Sequence, residues 1–165
     1  MGSTLRIHTH SPQETQEVGQ AIGEQARSGD ILLLTGPLGA GKTCLTQGIA
    51  RGLGVADHIR SPTFVLMSRH RGRLTLYHLD LYRINDPLEA WDLGLEEQLF
   101  DEGVCVVEWA DRAADLFPEA CLWISLDYGQ DQQDRIITLA EPPSRYRPFL
   151  EKLSAAFPAA AEVKP

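Results

Sequence analysis

Cysteine, aromatic and basic residues are all scarce in this sequence. The three cysteines, Cys44, Cys105 and Cys121, are odd in number and widely spaced, which argues against a disulfide framework or a zinc site. No apolar run approaches the length that spans a membrane, and no basic-then-apolar signal opens the chain. These features predict a cytoplasmic protein with no membrane association.

The shortage of basic residues also limits the partners that we expect. The formal net charge is −8, and the only basic cluster is Arg69–Arg73. A protein that holds nucleic acid by its own surface usually presents a basic field. If RNA is involved, we therefore expect a partner to do most of the holding.

The remaining composition is that of one globular domain. The chain has 165 residues, of which 43% are hydrophobic, and this suffices for a core. Alternating and continuous apolar runs predict strands at residues 5–9 (an edge strand), 31–35, 64–70, 74–82, 104–107, 122–128 and 135–140. Two pairs of these runs are joined by short turns, at residues 71–73 and 129–134, and form predicted β-hairpins.

Helical patterns alternate with these strands. We expect helices after the capping box at Ser11, from about residue 42 to Leu53, after the cap Asp86–Pro87, at 110–116 and at 145–157. The predicted fold is a single α/β domain over residues 1–165, with a mixed, mainly parallel sheet flanked by helices. Residues 1–4 and 158–165 are expected to be frayed.

The segment Gly36–Thr43 carries the strongest functional signal. It follows an apolar strand, opens a helix and matches the phosphate-loop template G-x-x-x-x-G-K-[ST]. Glycines allow positive φ, so that backbone N–H groups converge on phosphate oxygens at the helix N-terminus. Lys42 would supply a charge for the β- and γ-phosphates, and Thr43 a hydroxyl for Mg²⁺. The predicted nucleotide contacts in the loop are Gly36, Leu38, Gly39, Ala40, Gly41, Lys42 and Thr43.

Two acids at predicted strand ends complete the candidate site. Ligand crevices of α/β sheets lie at the carboxyl ends of strands, where Asp80 and Glu108 stand. Glu108 is the candidate metal ligand beside Thr43, and Asp80 the candidate for orienting water at the γ-phosphate; together with Lys42 they are the predicted catalytic residues. The alternatives are a solvated strand-end acid for Glu108 and an ion pair with Arg83 for Asp80.

Four further features each have two interpretations. The turn containing Ser61 and Thr63 is either a switch that contacts the γ-phosphate or an ordinary entry into a strand. Trp109 either walls the phosphate site or packs in the core. His78 is more often a satisfied core histidine than a ligand, and Cys44 more often a packed thiol than a reactive one.

Four motifs in order give the chain a specific resemblance. The phosphate loop, Ser61–Phe64, Tyr77–Arg83 and Val107–Trp109 together resemble the TsaE family of bacterial phosphate-loop ATPases. The resemblance covers about residues 11–140. Pro37 stands where the family usually has an acidic residue and Cys44 where it usually has threonine, and neither change removes a phosphate contact.

The resemblance implies a role that the residues alone do not. Family members bind ATP or ADP together with Mg²⁺. They hydrolyse ATP in a complex with TsaB and TsaD that makes threonylcarbamoyladenosine in tRNA, and the hydrolysis is expected to reset that complex. The resemblance associates the residues matching Thr43 and Glu108 with Mg²⁺, and the residue matching Asp80 with the γ-phosphate. It implies protein partners, contact with tRNA only through them, and a monomer when alone. From geometry and partly from the resemblance, we expect the adenine base near Ser11. Asp111 and the turn at residues 129–134, which includes Gln132, should lie within reach of it.

Two other functions share the phosphate loop. A small-molecule kinase would transfer the phosphoryl group to an acceptor, and such kinases usually add an arginine-bearing lid. Arg69–Arg73 is the only arginine-rich turn, and it is short for a lid. A nucleotide-dependent binding module with negligible turnover is the third hypothesis.

Overall fold

A mixed β-sheet forms the centre of the molecule. The computed structural model describes residues 3–61, 67–92, 102–158 and 160–164. In these residues eight strands form one sheet in the order β3-β4-β5-β2-β6-β7-β1-β8. The strands are β1 (Thr4–Thr9), β2 (Ile31–Thr35), β3 (Met67–His70), β4 (Leu76–Asp80), β5 (Val104–Glu108), β6 (Leu122–Tyr128), β7 (Arg135–Ala140) and β8 (Ala161–Lys164).

The sheet confirms the predicted α/β class. The four central strands, β4, β5, β2 and β6, run parallel, and antiparallel strands flank them on both sides. Both predicted hairpins are present, as the antiparallel pairs β3–β4 and β6–β7. The central strands β4 and β5 are buried along their whole length, as strands covered on both faces should be.

Helices cover the sheet at the places where the sequence predicts them. They are α1 (Pro12–Gln25), α2 (Lys42–Gly52), α3 (Pro87–Asp92), a 3-10 helix (Ala110–Leu116), a short 3-10 turn (Ser144–Tyr146) and α4 (Arg147–Ala156). Ser11 caps α1, since its hydroxyl accepts a hydrogen bond from the Glu14 N–H at 3.1 Å. In α3 the Leu88 side chain is exposed. Among the described residues, no helix is long and apolar enough to cross a membrane.

Helices α1 and α2 cross with their backbones in close contact. An ideal Cβ on Gly48 would lie 2.1 Å from the Gln16 carbonyl oxygen, and one on Gly19 would lie 2.3 Å from that of Leu45. Gly23 and Gly52 are equally crowded by the opposite backbone. Only glycine permits such an approach, so these four residues set how deeply α2, and the loop before it, sits against α1.

The two ends of the chain differ from the sequence-based expectation. We expected β1 to be an edge strand and residues 1–4 and 158–165 to be frayed. Instead Thr4 belongs to β1, and β8 pairs with β1 from Thr4↔Lys164 to Ile7↔Ala161. The physical reason is that β1 offers unpaired backbone groups on the side away from β7, and an extended tail satisfies them.

Candidate functional site

The loop Gly36–Thr43 joins the central strand β2 to α2. Gly36, Gly39 and Gly41 all have positive φ, at 140°, 80° and 105°. A Cβ on Gly36 would lie 2.2 Å from the Leu126 carbonyl oxygen, so this position accepts no other residue without a shift of β6. Gly41 is the N-cap of α2 and has no side chain with which to cap it. The N-terminus of α2 is therefore left for an outside acceptor, as an anion site requires.

The β6–β7 hairpin braces this loop from the side. The Tyr128 hydroxyl donates a hydrogen bond to the Leu38 carbonyl, and the Arg135 guanidinium donates one to the Gly39 carbonyl at 3.2 Å. The Arg135 guanidinium also lies 5.0 Å from the centroid of the Tyr128 ring. Sequence reasoning missed both residues, because nothing local to the hairpin indicates which carbonyls it contacts.

Lys42 is held inside the loop that it serves. Its Nζ donates to the carbonyl oxygens of Gly36, at 2.5 Å, and Pro37, at 2.9 Å. Only 5% of the residue is exposed. Burial lowers the pKa of Lys42, while the nearby negative charges of Glu108, Asp111 and Asp80 act in the opposite direction. These neighbours keep a cation available at the mouth of the loop.

Trp109 forms a wall of the site. Its backbone has φ 58°, a left-handed conformation that is uncommon for a bulky residue. That turn brings the ring to within 3.9 Å of Lys42 Nζ, measured to the ring centroid, and 4.9 Å from the centroid of Tyr82. Arg112 lies over both rings, at 5.2 Å from Tyr82 and 5.4 Å from Trp109. Trp109 lines a cavity beside the loop and also packs, partly buried, against the hydrophobic cluster that contains Val107, so the structure agrees with both interpretations.

The Thr43 hydroxyl and the Glu108 carboxylate meet in front of the loop. Thr43 Oγ1 donates to Glu108 Oε1 at 2.8 Å. The other carboxylate oxygen, Oε2, lies 2.5 Å from His78 Nε2. Glu108 is 2% exposed, so the alternative of a solvated strand-end acid is wrong.

Asp80 stands at the end of the neighbouring strand, opposite Glu108 in the β4–β5 register. Its carboxylate accepts hydrogen bonds from the Ser61 hydroxyl and from the Tyr82 N–H, the latter at 2.9 Å. The alternative partner, Arg83, is absent from the ion pairs of the described residues. Ser61 is thus tied to the candidate catalytic acid. Thr63 lies outside the described residues.

Two cavities flank the loop. The first, of about 330 Å³, contains both acids; its lining includes Leu38, Gly39, Gly41, Lys42, Thr43, Ser61, Asp80, Tyr82, Glu108 and Trp109. The second, of about 340 Å³, lies on the side of α1 and the hairpin turn; its lining includes Pro12, Thr15, Gly39, Gly41, Cys44, Gln132, Gln133 and Arg135. A larger hollow of about 650 Å³ between α4 and β8 has none of the predicted site residues in its lining.

The residues that we grouped around the adenine base do not all line the same cavity. Gln132 lines the second cavity, which begins beside the α1 N-terminus that Ser11 caps. Asp111 does not line that cavity; it is exposed at the start of the 3-10 helix, where its charge acts on Lys42. Ala40 is fully buried, and its N–H donates to the Pro37 carbonyl at 3.1 Å, so the structure does not expose this predicted contact.

The cysteines have no part in the chemistry of this site. Cys44 Sγ contacts the Pro12 carbonyl at 3.2 Å, and burial raises the pKa of its thiol, which agrees with a packed and unreactive side chain. Cys105 is buried in β5, and burial raises its pKa strongly. Burial raises the pKa of Cys121 to about 11.

These donors suit an anion together with a hard cation. A hydroxyl and two carboxylates are oxygen ligands of the kind that Mg²⁺ prefers, and Mg²⁺ needs few protein ligands when phosphate oxygens and water supply the others. No group of three or more His, Cys, Asp or Glu side chains that could hold a metal occurs in the described residues. Thr43 and Glu108 could hold such a cation jointly with an anionic ligand.

Comparison with known proteins agrees with this geometry. Residues 9–137 match the family model described as threonylcarbamoyl adenosine biosynthesis protein TsaE. A TsaE protein of Treponema pallidum is 42% identical over 136 residues, which cover 82% of this chain and all of that protein. A TsaE protein of Bacillus subtilis is 40% identical over 151 residues, which cover 91% of this chain and 94% of that protein.

A solved structure extends the similarity to three dimensions. The crystal structure of Bacillus subtilis YdiB superposes with a TM-score of 0.81 at 36% identity, and the match covers 94% of this chain and 97% of that chain. The family model alone spans well over half of the chain. The chain therefore belongs to the TsaE family of threonylcarbamoyl adenosine biosynthesis proteins.

Proposed function

We propose that this protein is a Mg²⁺-dependent ATPase that acts in the threonylcarbamoyladenosine modification of tRNA. The observation that carries the proposal is the cluster of Lys42, Thr43, Asp80 and Glu108 around one cavity at the N-terminus of α2. The family membership supplies the pathway, and the cluster supports the chemistry. ATP and ADP are the proposed ligands.

Each residue has a role that follows from its position. The α2 N-terminus and the N–H groups of the loop would bind the β- and γ-phosphates, and Lys42 would leave its carbonyl partners to reach them. Thr43 and Glu108 would hold Mg²⁺, which when bound neutralises charge on the phosphate oxygens. Asp80, fixed by Ser61, would orient the attacking water, on which in-line hydrolysis mainly depends.

The arginine-rich turn Arg69–Arg73 does not offer the lid that the kinase alternative needs. Arg73, in the turn that could have acted as a lid, donates hydrogen bonds to the Ala26 and Gly23 carbonyls at 3.0 and 2.6 Å. These bonds cap the C-terminal end of α1 and hold the turn against it. A lid must be free to close over a substrate, and this turn is anchored.

The test of the proposal is steady-state phosphate release by Lys42→Ala beside the wild type. Loss of the main cation facing the phosphates should lower turnover by at least about a hundredfold. Circular dichroism should show that the variant folds. Turnover equal to wild type would refute the site. A wild type that binds ATP and shows no release, alone or with partners, would instead establish a binding module.

The proposed partners are the TsaB and TsaD homologues, by family resemblance, with tRNA contacted only through them. The net charge of −8 agrees with an indirect role in RNA binding. A pull-down against the TsaB–TsaD pair with ATP, with ADP and without nucleotide tests this. We expect capture that depends on the nucleotide, and equal absence of capture in all three conditions would contradict it.

A further inference from the structure

Among the described residues of the site, His78 is buried and has no role in the proposed function. It lies in β4 and is fully buried, with 0% of its side chain exposed. Its Nε2 lies 2.5 Å from Glu108 Oε2, and Glu108 is itself 3% exposed in its side chain. The pair thus lies inside the protein, and His78 is two residues before Asp80 in β4.

The strand register explains how the two side chains meet. His78 is opposite Val106 and Asp80 is opposite Glu108 in the parallel pair β4–β5. His78 and Glu108 therefore lie diagonally on one face of the sheet, at a distance that a long side chain and a ring can close. A one-residue change of register would turn His78 to the other face.

The hydrogen bonds around Glu108 use its two oxygens differently. Thr43, which lines the cavity that contains both acids, donates from Oγ1 to Oε1, and the fully buried His78 contacts Oε2 through Nε2 at 2.5 Å. His78 Nδ1 is buried and has no hydrogen-bond partner among the described residues. A bare Nδ1 costs less than a buried N–H without an acceptor, so this geometry places a ring proton on Nε2, which donates it to Glu108 Oε2.

We propose that His78 is a positioning residue that holds the Glu108 carboxylate in the orientation in which Oε1 binds Mg²⁺ beside Thr43. The inference rests on the proposed function, because it needs Glu108 to be a metal ligand. Ligating carboxylates are commonly oriented by a second hydrogen-bond partner, and removing such a partner typically costs about 10- to 100-fold in metal affinity. Without His78, Oε2 would be buried and unpaired, and the carboxylate would be free to rotate.

The test compares two substitutions that differ in one donor. His78→Met keeps a side chain of similar length but has no N–H, whereas His78→Gln retains an amide N–H at the end of a flexible chain. Binding of a fluorescent ATP analogue is measured while Mg²⁺ is titrated, and the Mg²⁺ midpoint is the readout. We expect His78→Met to raise the midpoint about 10- to 100-fold and His78→Gln to raise it by less than about threefold.

Two controls separate positioning from simple packing. Val106→Ala removes buried volume directly opposite His78 without touching the carboxylate, so it should lower the melting temperature and leave the Mg²⁺ midpoint unchanged. In a Glu108→Gln background, His78→Met should add less than about twofold, since the ligand that it positions is already lost. If His78→Met does not fold, His78→Asn replaces it, because the shorter amide does not reach Oε2.

Each outcome supports or overturns the inference. A wild-type midpoint in folded His78→Met, or in folded His78→Asn, overturns it, as does an equal shift in Val106→Ala or an additive effect in the Glu108→Gln background. A failure of the proposed function would look different. If Mg²⁺ has no effect on binding by the wild type, or Glu108→Gln leaves the midpoint unchanged, Glu108 is not the ligand and both proposals fail together.

Discussion

The crossing of α1 and α2 allows a prediction in which structure sets the magnitude. Replacing Gly48 with alanine places a Cβ 2.1 Å from the Gln16 carbonyl oxygen, whereas ordinary contacts begin at 3.4 Å. The obstacle is backbone, so the helices must part by roughly 1 Å, and a gap of that size forfeits a quarter to a half of each dispersion contact along the seam.

The cost of that separation can be weighed against the gain from alanine. Overpacking of this kind costs about 1 to 3 kcal/mol, while alanine in place of glycine inside a helix returns up to about 1 kcal/mol. We expect a net loss of about 1 to 2 kcal/mol in the free energy of unfolding. For a chain of this length that lowers the melting temperature by about 2 to 8 °C.

The assay is thermal unfolding, with nucleotide affinity as a second readout. Because α2 begins with Lys42 and Thr43, a displaced helix should also weaken ATP binding. The control is Glu17→Ala, an exposed position on α1, which should stay within about 0.5 kcal/mol of wild type. A Gly48→Ala protein that is as stable as wild type or more stable would refute the reasoning.

Two further predictions concern the site, and a third concerns the pair His10–Asp134. Glu108→Ala should weaken the Mg²⁺ dependence of nucleotide binding, whereas Asp80→Asn should keep ATP affinity within a few-fold while turnover collapses; a larger metal defect in Asp80→Asn would reverse the two roles. Tyr128→Phe removes the hydrogen bond to the Leu38 carbonyl, so ATP affinity should fall about threefold to tenfold with little change in melting temperature, and unchanged affinity would show that the brace is dispensable. The exposed His10 and the partly buried Asp134 form a pair at 2.9 Å, and hydrogen bonding between them raises the pKa of His10 and lowers that of Asp134. The pair therefore stabilises the fold above the ordinary Asp pKa of 3.8 and below the ordinary His pKa of 6.5, and this contribution is lost as pH rises through the raised pKa of His10 or falls through the lowered pKa of Asp134. Glu14 and Asp131 also face His10. A His10→Gln protein should be less stable than wild type at about pH 5.5 and match it at about pH 9, and Asp134→Asn should abolish that difference. A difference in stability that does not vary with pH would contradict the assignment.

Local pattern was enough to predict the parts of this molecule that depend on neighbouring residues. The loop, its strand and its helix are adjacent in the chain, so spacing alone indicated Gly36–Thr43. Asp80 and Glu108 could be proposed because each ends a strand, and the carboxyl ends of parallel strands meet at one edge. The cap at Ser11 is likewise local.

Contacts between distant segments could not be read in the same way. His78 reaches Glu108 only because β4 and β5 are neighbours, and sequence order does not fix that adjacency. Tyr128 and Leu38 are 90 residues apart, and nothing in either segment predicts their hydrogen bond. The tail was expected to fray because small residues carry little packing energy, but its pairing depends on the free side of β1.

The contacts of Lys42 have a consequence for the rate of the proposed ATP hydrolysis cycle. The ammonium group already has two carbonyl partners and an aromatic face, so an arriving phosphate must compete with them. Part of the attraction between Lys42 and the phosphate is therefore offset by the loss of these partners. The same partners can replace the phosphate when the proposed product leaves. If ADP is the product, as proposed, such a competitor in the empty state should weaken its binding and shorten its residence time. A variant in which Lys42 loses the Trp109 ring should hold product longer, with release becoming the slowest step.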